Sequence, residues 1–308
     1  MFNPESGKGI VAKQSKMIVA LLSQKFDVEL ILSKYKGHIY DTILKKGESI
    51  DLFVVAGGDG TLSEAVNGVC HLNKKPRIGY IPCGTVNDVA HSLLIPRNIK
   101  RAVKNILEGE PFAHDAIKID DRFGVYVCCG GALTETSYST SQKSKKALGK
   151  VAYGLHGMKN MLDFSSFEAT LKTDSINYSQ QNAFFMVLNS RYVASFRVNK
   201  KTKLNDGLVD VVMIKNSDVK VGFKGIFRIA KLLLHGLKPN LGKNYAHFVL
   251  DKFKFETCED LVINLDGEAV KKGNFDFKVE REAFEIIVPK KFIKLTKSLT
   301  ERESCHKK

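Results

Sequence analysis

Three short glycine-containing segments carry polar side chains suited to chemistry on a phosphate. They are residues 3–9 (NPESGKG), residues 57–61 (GGDGT) and residues 82–93 (PCGTVNDVAHSL). Glycine allows a tight turn and close approach to a ligand, and the free N–H groups at the start of a following helix favour an anion. An acid among such N–H groups, Asp59, predicts a role in holding a cation or orienting a reacting group. The alternative is a plain strand-to-helix turn with Asp59 near the N-cap.

Each segment follows a predicted strand, which determines where the polar side chains meet. The carboxyl ends of parallel strands lie at one edge of a sheet, and ligands bind there. We therefore expect the three segments to converge on one site for a nucleotide. Residues 3–9 lack the GxxxxGK[ST] spacing of a Walker A loop.

Two later segments contain the pair Asp-Gly, residues 206–207 and residues 266–267. Asp-Gly between alternating apolar residues is a strong signal for a hairpin turn. From the residues alone, both segments are therefore interpreted as turns, and neither predicts a metal site.

The elements that must position these residues change character along the chain. Apolar strands at 26–32, 51–58 and 77–82 alternate with helical patterns at 62–72 and 99–107, which predicts a parallel sheet covered on both faces. After residue 115 the strands are short and alternating, which predicts an antiparallel sandwich or barrel. Two helical patterns interrupt it, at 145–161 and 219–237.

The fold class predicted is α/β plus all-β, in two domains. The boundaries expected are 1–117 plus 289–308 for a nucleotide-binding α/β domain with a parallel sheet, and 118–288 for a β-rich domain, an antiparallel sandwich, that takes the substrate. The second segment of the first domain is the tail after Pro289, which we expect to return to it.

The composition restricts the partners. The net charge is +15, which favours an anionic partner such as an acidic membrane surface or a nucleotide. Nucleic acid is disfavoured, because the chain has no Trp and no aromatic-basic interleaving. No apolar run reaches the roughly 18 residues of a membrane span, and no signal peptide is recognised. The six cysteines are interpreted as free thiols in the cytoplasm.

The motifs together resemble one family. In this order, NP-x-SG, GGDGT-x-x-E-x-x-NG and P-x-GT-x-ND resemble the diacylglycerol kinase catalytic-domain family, and HDAIKI, LNDGLVDVVMI and LDGEAV match it further along. GGDGT alone is shared with NAD kinases and phosphofructokinases. The resemblance implies an ATP- and Mg²⁺-dependent kinase of a lipid alcohol, most often diacylglycerol, with the active site between the two domains.

The resemblance also implies roles for individual residues. Glu268 is implied as the general base, with Asp266 and Asp59 beside the reaction. Asp206 is implied to bind a structural metal with the main-chain carbonyls of Lys203 and Leu208. Contacts with the nucleotide or its magnesium are implied for Asn3, Pro4, Glu5, Ser6, Gly7, Ser33, Gly57, Gly58, Asp59, Gly60, Thr61, Leu62, Ser63, Thr85, Asp88 and Asp115.

A lipid substrate requires docking on a membrane. The helical pattern at 219–237 has a basic stripe opposite an apolar face. The stripe comprises Lys224, Arg228, Lys231, His235 and Lys238. The apolar face includes Phe223, Ile226, Phe227, Ala230, Leu233, Leu234 and Leu237. An interfacial helix and a helix that covers the β-rich domain with its basic side in water both explain this pattern.

The rival functions are a kinase of a sphingoid base, ceramide or phosphatidylglycerol, an NAD kinase and a non-catalytic lipid-binding protein. We expect peripheral association with the inner face of the membrane, and a homodimer is one expected assembly.

Overall fold

The structure is a computed structural model, and it describes residues 1–2, 10–131, 165–200, 202–216, 218, 222–238, 242–259, 261–271 and 273–305. The first glycine segment, with Asn3, Pro4, Glu5, Ser6 and Gly7, lies outside the described residues. The helix predicted at 145–161 also lies outside them.

The described residues form the following elements in chain order. The α-helices are α1 (Ile10–Leu22), α2 (His38–Lys46), α3 (Asp59–Cys70), α4 (Asp88–Ser92), α5 (Ile99–Glu108), α6 (Gly222–His235) and α7 (Lys290–Cys305). The strands are β1 (Leu52–Gly57), β2 (Arg77–Pro82), β3 (Glu110–Ile119), β4 (Arg122–Gly124), β5 (Val127–Gly131), β6 (Phe167–Lys172), β7 (Asn177–Leu188), β8 (Val209–Lys215), β9 (Tyr245–Leu250), β10 (Lys252–Glu256), β11 (Val262–Leu265), β12 (Glu268–Lys271) and β13 (Asn274–Val288).

The parallel part of the sheet is smaller than predicted. β1 and β2 pair in parallel over six residues each, and β13 continues this arrangement at Ile286 opposite Ile78. The regular strand predicted at 26–32 is wrong: the pairing there is limited to a bridge between Phe2 and Leu32. Phe2 also bridges to Ala56, so it lies between residues 31–33 and β1.

The β-rich part continues the same sheet. β13 pairs with β10 over its first residues and with β3 along most of its length, so it runs from the antiparallel region into the parallel one. The described strands form one mixed, curled sheet with the order β1-β2-β13-β10-β6-β7-β5-β11-β12, in which β8 pairs with β7 and β9. The domain division at 117/118 falls within β3 and remains a prediction.

Hydrophobic clusters occupy both parts of this sheet. The cluster of the α/β part is formed by α2, α3 and α4 against β1 and β2, and it includes Phe292 of α7, which is fully buried. The ring of Phe292 lies edge-on to that of Phe112, 5.0 Å away. The tail after Pro289 therefore packs on the α/β part. Within the described residues, no helix is long and apolar enough to span a membrane.

Candidate active site

The second and third glycine segments are in direct contact. The N–H of Cys83 donates to the carbonyl of Gly57 at 2.8 Å, which places the ends of β1 and β2 side by side. A Cβ added to Gly84 would lie 2.5 Å from the Cα of Gly58, so the two backbones approach more closely than side chains would permit. The parallel pairing of β1 with β2 therefore brings GGDG and CGT together, as the sequence predicts.

Asp59 is the first residue of α3, and its side chain caps another helix. Its carboxylate accepts hydrogen bonds from the N–H groups of Asp88 (3.0 Å) and Val89 (3.1 Å), at the start of α4. Burial raises the pKa of Asp59, and these backbone donors oppose the rise. Asp59 thus aligns α3 with α4 and brings the starts of both helices to one place.

Asp88 extends this contact into the β-rich part. Its Oδ1 accepts a hydrogen bond from the N–H of Ser195 at 2.9 Å. Burial raises the pKa of Asp88 to about 6, and the nearby Asp59 carboxylate contributes to the rise. The backbone donors at Ser195 and Ala194 oppose it. Two buried carboxylates, one of which raises the pKa of the other, are a suitable pair for a cation.

The LDGE segment is a hairpin whose tip is Asp266-Gly267. Leu265 pairs with Glu268 across the turn, and the two tip residues have φ of 52° and 99°. Two successive positive φ values are typical of the type I′ turn, for which Asp-Gly is a preferred pair. The hairpin interpretation of this segment is therefore confirmed, and Glu268 is the first residue of the returning strand.

Both carboxylate oxygens of Asp266 accept hydrogen bonds from the protein. Oδ1 accepts from the N–H groups of Tyr126 (3.1 Å) and Val127 (3.0 Å). Oδ2 accepts from the hydroxyl of Ser63 at 2.8 Å and from the N–H of Val125. Burial raises the pKa of Asp266, and these four donors oppose the rise. The saturated carboxylate fastens the hairpin to the start of β5 and to α3.

The bond between Ser63 and Asp266 joins residues 203 positions apart in the chain. Ser63 lies one helical turn after Asp59, so the LDGE hairpin lies against the first turns of α3. The carboxylate of Glu268 is half-exposed and forms an ion pair of 2.9 Å with Lys36. The neighbouring Glu64 caps the start of α2 by accepting from the N–H of Ile39 at 2.8 Å. Burial raises the pKa of Glu64 and the carboxylate of Glu268 raises it further, so Glu268 lies near α3.

The third glycine segment is held in shape by Asn87. Its amide group accepts from the N–H of Gly84 (2.9 Å) and donates to the carbonyl of Gly84 (2.7 Å). A cavity of about 490 Å³ opens beside this segment, lined among others by Arg97 and Lys100. Arg97 donates to the carbonyl of Thr85 at 3.3 Å. The segment is thus preformed next to two cationic side chains.

Asp115 lies with the Asp206 loop in this structure. Its carboxylate accepts from the N–H of Gly207 (2.6 Å) and the N–H of Glu282 (2.7 Å). Burial raises the pKa of Asp206, and the nearby Asp115 carboxylate raises it further. Lys203 lies close enough to lower that pKa. The structure therefore brings Asp115 together with Asp206 and Lys203.

Metal-binding geometry is restricted among the described side chains. No group of three or more His, Cys, Asp or Glu residues in this part of the chain lies close enough to hold a metal ion without other ligands. Ser33, the predicted nucleotide contact before α2, is partly exposed and donates within its own turn to the carbonyl of Tyr35 at 3.2 Å.

Three residues at this site have no signal in the sequence. Tyr126 is nearly buried, and burial raises its pKa well above the ordinary value. The carboxylates of Asp266, Asp59 and Asp88 raise this pKa further. Ser195 and Lys36 contact the candidate acids through a backbone N–H and an ammonium group. No motif contains them, because each reaches the site through tertiary packing.

Comparisons with known proteins identify similar chains. Residues 1–119 match the model of the diacylglycerol kinase catalytic domain. The chain is 28% identical over 296 residues to a diacylglycerol kinase of Staphylococcus carnosus, covering 94% of each chain. It is 29% identical over 272 residues to a diacylglycerol kinase of Bacillus subtilis, covering 87% of this chain and 88% of the relative.

The fold is also similar to a solved structure. A crystal structure of a putative diacylglycerol kinase from Bacillus anthracis superposes with a TM-score of 0.80 at 24% identity, covering 94% of both chains. At that identity the likeness concerns the fold. The catalytic-domain model matches residues 1–119, and the relatives align with most of the chain, so the chain is similar to diacylglycerol kinases along most of its length, and this similarity supports a kinase.

Proposed function

We propose that this protein transfers the γ-phosphate of Mg-ATP to the hydroxyl of a membrane lipid alcohol, with diacylglycerol as the first candidate. One observation carries the proposal: the Ser63–Asp266 hydrogen bond fastens the hairpin that bears Glu268 to the helix that bears Asp59. A group suited to accept a proton and a segment suited to hold phosphates therefore share one site. Phosphoryl transfer to an alcohol requires both.

ATP fits the glycine segments. Residues 57–61 and 83–87 approach each other closely and lead into α3 and α4. The first N–H groups of α3 favour phosphate, whereas those of Asp88 and Val89 in α4 already donate to Asp59. Arg97 and Lys100 add positive charge beside them. Within this site, we expect the backbone of residues 57–63, the Thr85 side chain and residues 3–7 to hold the nucleotide, and Ser33 to contact it.

Magnesium fits the pair Asp59 and Asp88. Mg²⁺ prefers carboxylate oxygens and keeps several waters, so two carboxylates and the phosphates of the substrate suffice. The pKa of Asp88 is raised to about 6 by burial and by Asp59, and a cation would relieve that repulsion. The ion would neutralise charge on the phosphates. Asp59 and Asp88 would keep their backbone contacts to α4 and to residue 195 and so hold the ion in a fixed place.

A second cation fits the Asp206 loop. Asp206 is partly buried beside Asp115, and a positive charge there lowers the electrostatic cost of two adjacent acids. We propose that the Asp206 carboxylate and the carbonyls of Lys203 and Leu208 bind it with water completing the shell. This ion would have a structural role, and Asp115 would support it through Gly207.

Glu268 is proposed to take the proton of the acceptor hydroxyl as the new bond forms. It is half-exposed, which leaves it accessible to a substrate, and Lys36 holds it at 2.9 Å. Asp266 is proposed as a positioning residue, because its oxygens are occupied by protein donors. The lipid would be reached by peripheral association with the cytoplasmic face of a membrane, where ATP is available. The homodimer remains a prediction for light scattering.

The test is transfer of label from ATP to a panel of acceptors in mixed micelles: diacylglycerol, sphingosine, ceramide, phosphatidylglycerol and, as a soluble rival, NAD. We expect labelled phosphatidic acid. Glu268→Gln keeps the size of the side chain but removes its basicity, and it is expected to lower kcat about 10²- to 10⁴-fold with the ATP Kd nearly unchanged. Glu285→Gln, an exposed glutamate paired with Arg77, is the control.

Transfer to NAD alone, or no transfer to any lipid, would refute the proposal. If Glu268→Gln retains more than about a tenth of the wild-type turnover, the residue supplies less than a general base does, and Glu268 must be replaced in this role.

A further inference from the structure

One face of α6 exposes large apolar side chains among lysines. We call this the α6 surface and define it as Lys224, Phe227, Lys231 and Leu234. Their spacing of three, four and three residues puts them on one side of a helix with 3.6 residues per turn. Phe227 is 70% exposed and Leu234 is 65% exposed, and both lysines are exposed.

The opposite face of α6 already supplies the packing that holds the helix. Ile226, Ile229 and Leu232 are buried in a cluster with strand residues that include Val212 and Ile214. Phe227 and Leu234 were expected on this apolar face, and the structure corrects that expectation. Their exposure contributes nothing to the core, and large apolar side chains that share an exposed face mark an interaction site more often than chance.

The charges on this helix favour an anionic partner. The sequence of α6, GFKGIFRIAKLLLH, contains no acidic residue. Neither Lys224 nor Lys231 forms an ion pair with another residue in the described part of the chain. Lysines around exposed Phe and Leu are the composition of a helix that lies in a membrane interface, where cations meet phosphate headgroups and the apolar side chains enter the acyl boundary.

The end of α6 is connected to the candidate active site. Gly236 follows the helix with φ of 71°, and a Cβ there would lie 2.6 Å from the carbonyl of Val198. The N–H of Leu237 donates to that carbonyl at 2.7 Å. Three residues earlier, the N–H of Ser195 donates to Asp88. Residues 195–198 thus span from the end of α6 to a candidate magnesium ligand.

The same segment adds to the exposed surface. Phe196 is 40% exposed, and Arg197 beside it is exposed. The segment that connects the end of α6 to Asp88 therefore also carries an apolar side chain, Phe196, beside a cationic one, Arg197.

We propose that the α6 surface, extended by Phe196 and Arg197, is the element that docks the protein on an anionic lipid bilayer. Charge complementarity selects this occupant, because the surface contains only apolar and cationic groups. The inference rests on the proposed function for its purpose, since a bilayer held at this place lies beside the site that would phosphorylate one of its lipids.

The experiment measures sedimentation of the full chain with two kinds of vesicle, phosphatidylcholine alone and phosphatidylcholine with phosphatidylglycerol. The test variant is Phe227→Ser with Leu234→Ser, and the matched control is Leu30→Ser with Leu44→Ser, a pair of similarly exposed leucines elsewhere. We expect the test variant to bind acidic vesicles at least about tenfold more weakly than wild type, with the control unchanged. Lys224→Glu with Lys231→Glu should remove the preference for acidic vesicles.

A second readout separates this inference from the proposed function. Phosphorylation of a short-chain diacylglycerol dispersed in water needs no docking, so the Phe227/Leu234 variant should retain that activity and lose activity on bilayers. Unchanged binding to acidic vesicles by this variant overturns the inference, as does a change from dimer to monomer in light scattering with vesicle binding intact. If wild type binds acidic vesicles, the Phe227/Leu234 variant does not, and wild type phosphorylates no lipid of the panel, the proposed function fails and the docking inference stands.

Discussion

Asp266→Asn tests how the hairpin is held against α3. The change is nearly isosteric, and Asn tolerates the positive φ of 52° at this position about as well as Asp does. It therefore alters the hydrogen-bonding chemistry and leaves the backbone preference intact. Asp266→Ala would add strain of roughly 1–2 kcal/mol from that φ alone and would confuse the two effects.

The magnitude follows from the four donors. An asparagine keeps one accepting oxygen, which can serve the N–H groups of Tyr126 and Val127 as Oδ1 does now. Its NH₂ group then replaces Oδ2 and faces the N–H of Val125 and the hydroxyl of Ser63. The hydroxyl can rotate and accept, but the N–H cannot, so one buried donor is left without a partner.

An unsatisfied buried donor costs about 1–3 kcal/mol, and a hydrogen bond to a charged group contributes roughly 1.5–3 kcal/mol against about 1 kcal/mol for a neutral one. Relief from burying a charge offsets part of this loss, because burial raises the pKa of Asp266. We expect the free energy of unfolding to fall by about 2–4 kcal/mol. Ser63→Ala removes one donor and its partner's bond, and it should cost about 1 kcal/mol.

Urea unfolding followed by circular dichroism provides both values, and the double variant provides their coupling. Because the two residues are in contact, we expect a non-additive term of at least about 0.5 kcal/mol. A change of less than about 0.5 kcal/mol in Asp266→Asn, the level of an ordinary surface substitution, would refute this reasoning. Asp266 would then be available for direct chemistry, as the sequence first suggested.

Three further predictions concern the loops and the acids. Gly84→Ala should weaken ATP binding measured by calorimetry, because the added Cβ would lie 2.5 Å from a backbone atom. Gly60→Ala, whose added Cβ would have no neighbour nearer than 4.0 Å, should lower the affinity far less. Equal losses of affinity would contradict the close packing of the loops. Asp88 has a pKa of about 6 in the folded protein against an ordinary value of 3.8, so its ionisation destabilises the fold as the pH rises from about 4 to 6. Without nucleotide, Asp88→Asn should therefore be more stable than wild type by up to about 3 kcal/mol above pH 6. Below pH 4 the two proteins should be equally stable. A stability difference independent of pH would exclude this origin. Asp206→Ala should gain less melting temperature from added Mg²⁺ than wild type does, because only the Asp59/Asp88 pair remains; a gain equal to that of wild type in differential scanning calorimetry would remove the structural metal from this loop.

The helices and strands around the site could be read from local signals. Apolar runs at 51–58 and 77–82 predicted β1 and β2, and helical patterns at 62–72 and 99–107 predicted α3 and α5, because strand and helix periods are properties of the chain itself. The Asp-Gly turn at residues 266–267 was equally local, since positive φ at two successive positions needs such residues. The strand predicted at 26–32 was wrong, because a strand forms a ladder only where a partner of matching length lies beside it.

Contacts between distant segments were decided only by the tertiary structure. The sequence contained Asp59, Asp88, Asp115 and Glu268 as candidate acids, but their grouping depends on which elements pack together. Asp115 lies beside the Asp206 loop, and the carboxylate of Asp59 contacts the start of α4. The curled sheet, continued through β13, brings the LDGE hairpin to α3 across 203 residues. The exposure of Phe227 and Leu234 was also decided by tertiary packing. Periodicity places a residue on a side of a helix, whereas the neighbouring sheet determines which side is buried.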